Sequence, residues 1–321
     1  MLGLKGAAVL TAFWQGIAGK ITDRWVQVSA PALVFWSGGL LAWIFHGGVK
    51  AIQSAGTRLG HQSVPVQLAV LVAILLWIGL SGAVVDRLSV PVLRLLEGYW
   101  PAVLSPAHRR LAARARAKAA GYEKRIQEVA EAARRDGQER SRSEFIALDR
   151  RLHWLPQGGP YQPTAVGNVL RAAEARPREK YGLDAVIVWP RLWLLLPDTA
   201  RAELAAARRG LDLATAACVW GTLFVLFTPL AWWAAVAGLA VAIVAYRFWL
   251  TWQAAAFADL LDAAFDLYRG RLYEQLRWPL PANPGEERQA GERMTTYLWR
   301  GSAGDEPAFS SARGDDSGPG R

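Results

Sequence analysis

Residues 213–250 read LATAACVWGTLFVLFTPLAWWAAVAGLAVAIVAYRFWL, thirty-eight positions whose only formal charge is Arg247. As a single helix the stretch would measure about 57 Å at 1.5 Å per residue, nearly twice the ~30 Å hydrocarbon core of a bilayer. It therefore has to fold back. Thr228-Pro229-Leu230 supplies the break, because proline lacks an N–H and clashes inside a helix. Trp232 and Trp233 stand beside that turn, where interfacial aromatic residues are expected. The reading is two spans, 211–228 and 231–250, joined tightly.

Two more apolar runs lie upstream. Pro31 to Val49 carries no formal charge, and Val64 to Val85 has only Gln67 and Ser81 as polar side chains. Nineteen or more residues suffice to cross the apolar core. The chain is thus expected to be an all-α membrane protein of two transmembrane helical hairpins, with spans 31–49, 64–85, 211–228 and 231–250. A mean hydropathy of +0.12 with 52% hydrophobic and 20% charged residues suits that reading, because nearly all the charges fall outside the four runs.

Orientation follows from the charges. The net charge is +10 and the pI about 10.1. The turn at 228–233 has none, whereas Arg87, Arg94, Arg109, Arg110, Arg114, Arg116 and Lys118 follow the second run, with no acid between Glu97 and Glu123. Lys and Arg near span ends mark the cytoplasmic side, so residues 86–210 and both termini are expected inside. Lys50 and Arg58, between the first two runs, count weakly against this. Arg supplies 31 of the 37 basic residues, and with abundant Ala this suggests a GC-rich bacterial genome. Nucleic acid is disfavoured as a partner, since Glu128, Glu131, Asp136, Glu139 and Glu144 dilute the positive field.

Outside the spans, residues 1–30 predict an uncleaved amphipathic helix at the membrane interface, with Leu10, Phe13, Trp14, Ile17, Ile21 and Trp25 at three- and four-residue steps. Residues 86–210 form a mostly helical cytoplasmic module. It begins with an elbow, Val92 to Val103, and includes a short helix from about Thr164 to Ala175. Ala185 to Trp189 is the best strand candidate, because Val and Ile favour extended backbone, and Met294 to Arg300 is a second. Residues 251–300 continue the fourth span as a cytoplasmic helix to about Trp278, followed by a polar linker, 282–293. Residues 301–321 read as a disordered tail.

Three groups carry candidate chemistry. Asp259, Asp262 and Asp266 fall on one helix face, where oxygen ligands could hold a divalent cation; a stripe that is solvated, or that pairs with the Arg-rich helix of residues 109–125, is the stronger reading. Trp14, Trp25, Arg94, Trp100, Arg109, Arg110, Arg114, Arg116 and Lys118 combine aromatic and basic side chains as contacts for anionic lipid headgroups. Cys218, the lone cysteine, sits in an apolar run and reads as a small apolar side chain. No phosphate-binding loop, dinucleotide fingerprint or zinc-protease motif occurs, so no cofactor is expected. The spans hold no Asp, Glu or Lys at mid-depth, which disfavours ion-coupled transport.

The block GNVLRAAE (167–174), YGLD (181–184) and WPRLW (189–193) resembles a stretch found in uncharacterised multi-pass membrane proteins of GC-rich bacteria. That resemblance implies a membrane protein and no particular activity. The function expected is a non-enzymatic membrane scaffold or partner-binding subunit, acting with a protein partner or a second copy. The alternatives are a subunit of a transport or export assembly and, third, a membrane-bound enzyme.

Overall fold

The computed structural model describes residues 29–136, 139–157, 159–302, 304 and 306–309. The predicted amphipathic helix, with Trp14 and Trp25, and most of the predicted tail lie outside these residues. The described chain is mostly helical, with no strand among the described residues.

Eleven helices follow one another among the described residues: α1 (Ser29–Gly48), α2 (Val49–Gly60), α3 (Val64–Glu97), α4 (Ser105–Asp136), α5 (Glu139–His153), α6 (Ala165–Tyr181), α7 (Ala185–Leu195), α8 (Asp198–Phe224), α9 (Trp233–Val244), α10 (Thr251–Gln275) and α11 (Pro284–Arg300). Four stretches are long and apolar enough to cross a membrane: Ser29–Gly48, Asp198–Phe227, Trp233–Gln275 and part of Val64–Ala132. The described residues divide into two compact units, residues 29–93 with 212–250, and residues 94–211 with the described residues from 251 to 309.

In the first unit, Ala32, Phe35, Val85 and Trp220 form the buried centre. The Phe35 ring lies 4.7 Å from Trp220 and 5.1 Å from Phe227, tilted against both. Trp36 Nε1 donates to Ser81 Oγ at 3.1 Å, and that hydroxyl donates on to the Ile78 carbonyl. The two polar atoms inside this apolar pair are thereby satisfied locally. At Gly221 a Cβ would stand 2.7 Å from Ala242 N, and at Gly238 one would stand 2.6 Å from Gly221 O. Glycine lets α8 and α9 approach at backbone distance. The break at Thr228 is capped by its own hydroxyl, which donates to Val225 O.

In the second unit, α10 packs against α6 and α7, and α11 against α6 and α7. Val166, Leu183, Val188, Leu192, Phe265, Leu272 and Met294 make the dry interior. Gly182 ends α6 at φ +71°, a left-handed cap that glycine adopts without strain. A Cβ at Gly182 would meet Arg288 O at 1.9 Å, and one at Gly291 would meet Tyr181 O at the same distance, so α6 and α11 touch through bare backbone. Helices α4 and α5 pack against each other, with Ala119, Val129 and Leu148 buried and Arg125 reaching Glu144 at 3.1 Å.

Both strand expectations are overturned. Ala185 to Trp189 opens α7, because Asp184 caps it by accepting from Val186 N and Ile187 N. Trp189 and Trp193, four residues apart, then stack in sequence with Phe265 behind Trp189. Helical spacing, fixed by that packing, outweighs the strand preference of Val and Ile. Met294 to Arg300 is the last part of α11, and the polar linker expected at 282–293 is mostly its first part. Asn283 accepts from Glu286 N with Pro284 at the first helical position and Glu286 and Glu287 in the first turn, which together form a complete start signal.

Candidate functional site

The carboxylate stripe of α10 faces α6. Arg176 and Asp262 are 7% and 8% exposed, and Arg176 Nη1 donates to Asp262 Oδ2. The second guanidinium nitrogen donates to the carbonyl of His153, and the group lies 5.4 Å above the Trp154 ring. One turn further on, Asp266 accepts from the Tyr181 hydroxyl and from Lys180 Nζ at 3.3 Å. Arg269 stacks 4.0 Å over the Tyr181 ring and donates to Glu287 Oε1 at 2.6 Å, tying in α11. Burial, and then the bond to Asp266, pushes the Tyr181 phenol up to about 12. Asp259 remains exposed.

This corrects the expected partner. The stripe pairs with Arg176 and Lys180 of α6, not with the Arg-rich helix of residues 109–125. Two cations four residues apart match two carboxylates four residues apart across one helix contact. Among the described residues no group of three or more His, Cys, Asp or Glu is arranged to hold a metal ion.

The basic residues are placed differently. Arg94, Arg109, Arg110, Arg114, Arg116 and Lys118 are exposed, and Arg116 lies over the Tyr161 ring at 5.8 Å. Gly98, at φ +106°, ends α3 and turns the chain into the elbow. Trp100 is half-buried there, its indole N–H donating to Leu95 O at 2.8 Å. Val103, 87% exposed, and Leu104 project beside it.

A third feature escaped sequence reasoning. Where the end of α3 meets α6, α8 and α10, a partly enclosed cavity of about 100 Å³ opens. Its polar lining includes Glu97, Arg171, Glu174 and Arg208, and its apolar wall includes Phe257 and Leu261. The approach depends on Gly167, where a Cβ would stand 1.8 Å from Glu97 O. Asn168 holds the adjoining loop, accepting from Gln162 N and donating to the carbonyls of Gln162 and Thr164. Burial is the main cause that raises the Glu97 carboxyl above the usual range, against the opposing pull of Arg208. Its lining comes from four separated segments, so no spacing along the chain announces it.

Comparison with known proteins gives no match: no family model fits the chain, and neither a curated protein nor a solved structure is similar to it.

Proposed function

We propose that the chain is a multi-pass membrane protein acting as a scaffold or partner-binding subunit, without catalytic activity of its own. In this reading the spans pair as two hairpins, 31–49 with 64–85 and 211–228 with 231–250. Residues 86–210, residues 251–300 and both termini lie on the cytoplasmic side of a cell membrane, with anionic headgroups met by the elbow and the start of α4.

The observation that carries it is the exposure of the apolar runs. Along α3 the side chains Val64, Leu68, Leu71, Ile74, Leu76 and Leu80 are exposed, and Leu76 is 67% exposed. Water does not tolerate a contiguous apolar surface of that extent, whereas lipid does. In the second unit, the most deeply placed charges are spent on each other, as Arg176 on Asp262 and Arg269 on Glu287. That favours a rigid docking body over a reaction centre.

Purification of the tagged full-length chain in mild detergent, followed by mass spectrometry, tests the role. A protein partner or second copy recovered in fixed stoichiometry is expected. A lone polypeptide that binds and turns over a small molecule would replace this reading with the enzymatic one.

A further inference from the structure

We propose that α2 lies in the headgroup layer of an anionic bilayer leaflet, with Val49, Ile52 and Leu59 turned towards the acyl chains and Lys50 and Arg58 meeting lipid phosphates. The inference rests on the membrane reading above and deepens it, by naming a lipid surface that the first hairpin engages.

The pattern of α2 divides it lengthwise. At 100° per residue, Val49, Ile52 and Leu59 fall on one half of the helix, and Lys50, Gln53 and Thr57 on the other. Arg58 stands on the border between them. Val49 is 45% exposed, Ile52 and Leu59 are partly exposed, and none of the described side chains of α2 is buried. Twelve residues make a helix of about 18 Å, too short for the ~30 Å apolar core. A short amphipathic helix suits the plane of the interface instead.

The chain on either side holds it there. In the hairpin reading, span 31–49 ends and span 64–85 begins at the same face of the bilayer, and α2 is the helical part of the connection. Gly47, at φ +96°, breaks the helix where α1 ends. A Cβ at Gly48 would stand 2.7 Å from Trp43 O, so the bend closes on Trp43 with no room for a side chain. At the other end, Gln67 of α3 donates to the carbonyls of Leu59 and Gln62 at 3.2 and 3.1 Å. Between these ties the main packing of α2 is with the end of α1.

Charge selects the leaflet. Residues 24–85 contain no Asp or Glu, so Lys50 and Arg58 have no carboxylate in their own segment. Anionic headgroups supply the counter-charge, and the border position of Arg58 suits the depth of their phosphates.

Nitroxide labels on single cysteines, in a Cys218→Ser background, test the placement. The full-length protein is reconstituted in vesicles of phosphatidylcholine with phosphatidylglycerol and probed with oxygen, which concentrates in lipid, and a nickel chelate, which stays in water. Val49→Cys and Ile52→Cys should be reached mainly by oxygen, and Gln53→Cys and Thr57→Cys mainly by the chelate. Adding Lys50→Gln and Arg58→Gln should raise chelate access at Ile52→Cys, since two basic residues change the ratio of docked to lifted helix roughly thirtyfold. Equal chelate access at Ile52→Cys and Gln53→Cys overturns the proposal, because α2 then stands clear of the bilayer. Closure of Ile52→Cys to both reagents also overturns it, by setting the apolar half against protein. A profile unchanged in phosphatidylcholine alone overturns the anionic preference. Should one labelled apolar position fail to fold, the other decides. Leu76→Cys on α3 checks the underlying reading separately. Chelate access there sinks the membrane assignment, whereas oxygen access at Leu76→Cys with chelate access at Ile52→Cys sinks only the placement of α2.

Discussion

Arg176 on α6 donates to Asp262 on α10 with both side chains almost wholly removed from solvent, 8% and 11% exposed. The guanidinium is satisfied a second time by the His153 carbonyl and covered by Trp154. This pair fixes the register of the two helices that carry the second unit. It is also the feature most sensitive to the loss of one partner, because a buried charge left alone keeps its desolvation cost.

Asp262→Ala should therefore destabilise the protein by about 3–5 kcal/mol, with Arg176 left buried and unpaired. The double variant Arg176→Met with Asp262→Ala should recover much of that loss. Lys180→Ala, which breaks only the half-exposed contact to Asp266, should cost ~1 kcal/mol or less. Denaturation in detergent reads all three. A cost for Asp262→Ala no larger than that for Lys180→Ala would mean the buried pair does not hold the two helices.

Tyr181 gives the stripe a signature in alkali. Its phenol is held up to about 12 by burial and by Asp266, with Lys180, Arg269 and Glu287 also facing it. The folded value lies above the ordinary ~10. The folded state thus keeps the proton longer, and the associated stability, full below pH ~10, is lost as pH rises through about 12. Tyr181→Phe should flatten the fall in melting temperature between those limits. An unchanged slope in that variant would show that the phenol does not contribute.

The long apolar helices were legible because a bilayer demands about twenty uncharged residues in a row, a signal that survives without any tertiary knowledge. The break at Thr228-Pro229-Leu230 was legible for the same reason. What sequence could not supply was who faces whom. Arg176 is one arginine among 31, and nothing at its position in the chain distinguishes it from those of residues 109–125. The strand reading of Ala185 to Trp189 gave weight to Val and Ile and none to Asp184, whose cap decides the helix. Gly167, Asn168 and Gly182 lie in the block quoted for its resemblance. Their roles, a backbone approach, a loop staple and a left-handed cap, become visible only once Glu97, Gln162 and Arg288 are brought against them.

Glycine positions separate contact from propensity. Gly167→Ala would place a Cβ 1.8 Å from Glu97 O, so the backbone must shift. A destabilisation of about 1–3 kcal/mol is expected, with loss of the Glu97 cavity. Gly121, inside α4, has nothing within 4 Å of a built Cβ. Gly121→Ala should stabilise by roughly 0.5–1 kcal/mol through helix propensity alone. The two substitutions are chemically identical, and equal effects in a thermal melt would mean that α6 does not approach the end of α3 as closely as found.

Topology is testable with single cysteines in a Cys218→Ser background. Positions 120, 160 and 290 should be shielded from a membrane-impermeant thiol reagent in intact cells, and cysteines at Leu230 and Ala231 should react. The ground is the basic content of the segments after Val85 against the uncharged turn at 228–233. Reaction at position 120 from outside would invert the orientation and leave the four-span count untouched.

The last expectation concerns the elbow and the start of α4 as a lipid-facing surface. Val103 is 87% exposed, and Tyr99 and Leu104 are about half exposed beside it. Arg109, Arg110 and Arg114 follow on the solvent side of α4 with no acid before Glu123. Trp100 takes a lesser part, since its indole is tied to Leu95 O and its ring stands edge-on to His108. Each basic residue near an anionic leaflet contributes about 1 kcal/mol. A peptide of residues 86–120 should therefore become helical on anionic vesicles and stay free on zwitterionic ones. Replacing Arg109, Arg110 and Arg114 with Gln should weaken binding by about 3 kcal/mol, on the same per-residue scale. Salt should release the peptide, because the attraction decays over a Debye length of ~10 Å at 0.1 M. Equal binding to both vesicle types would assign the affinity to Val103 and Leu104 alone, and the arginines would then need another partner.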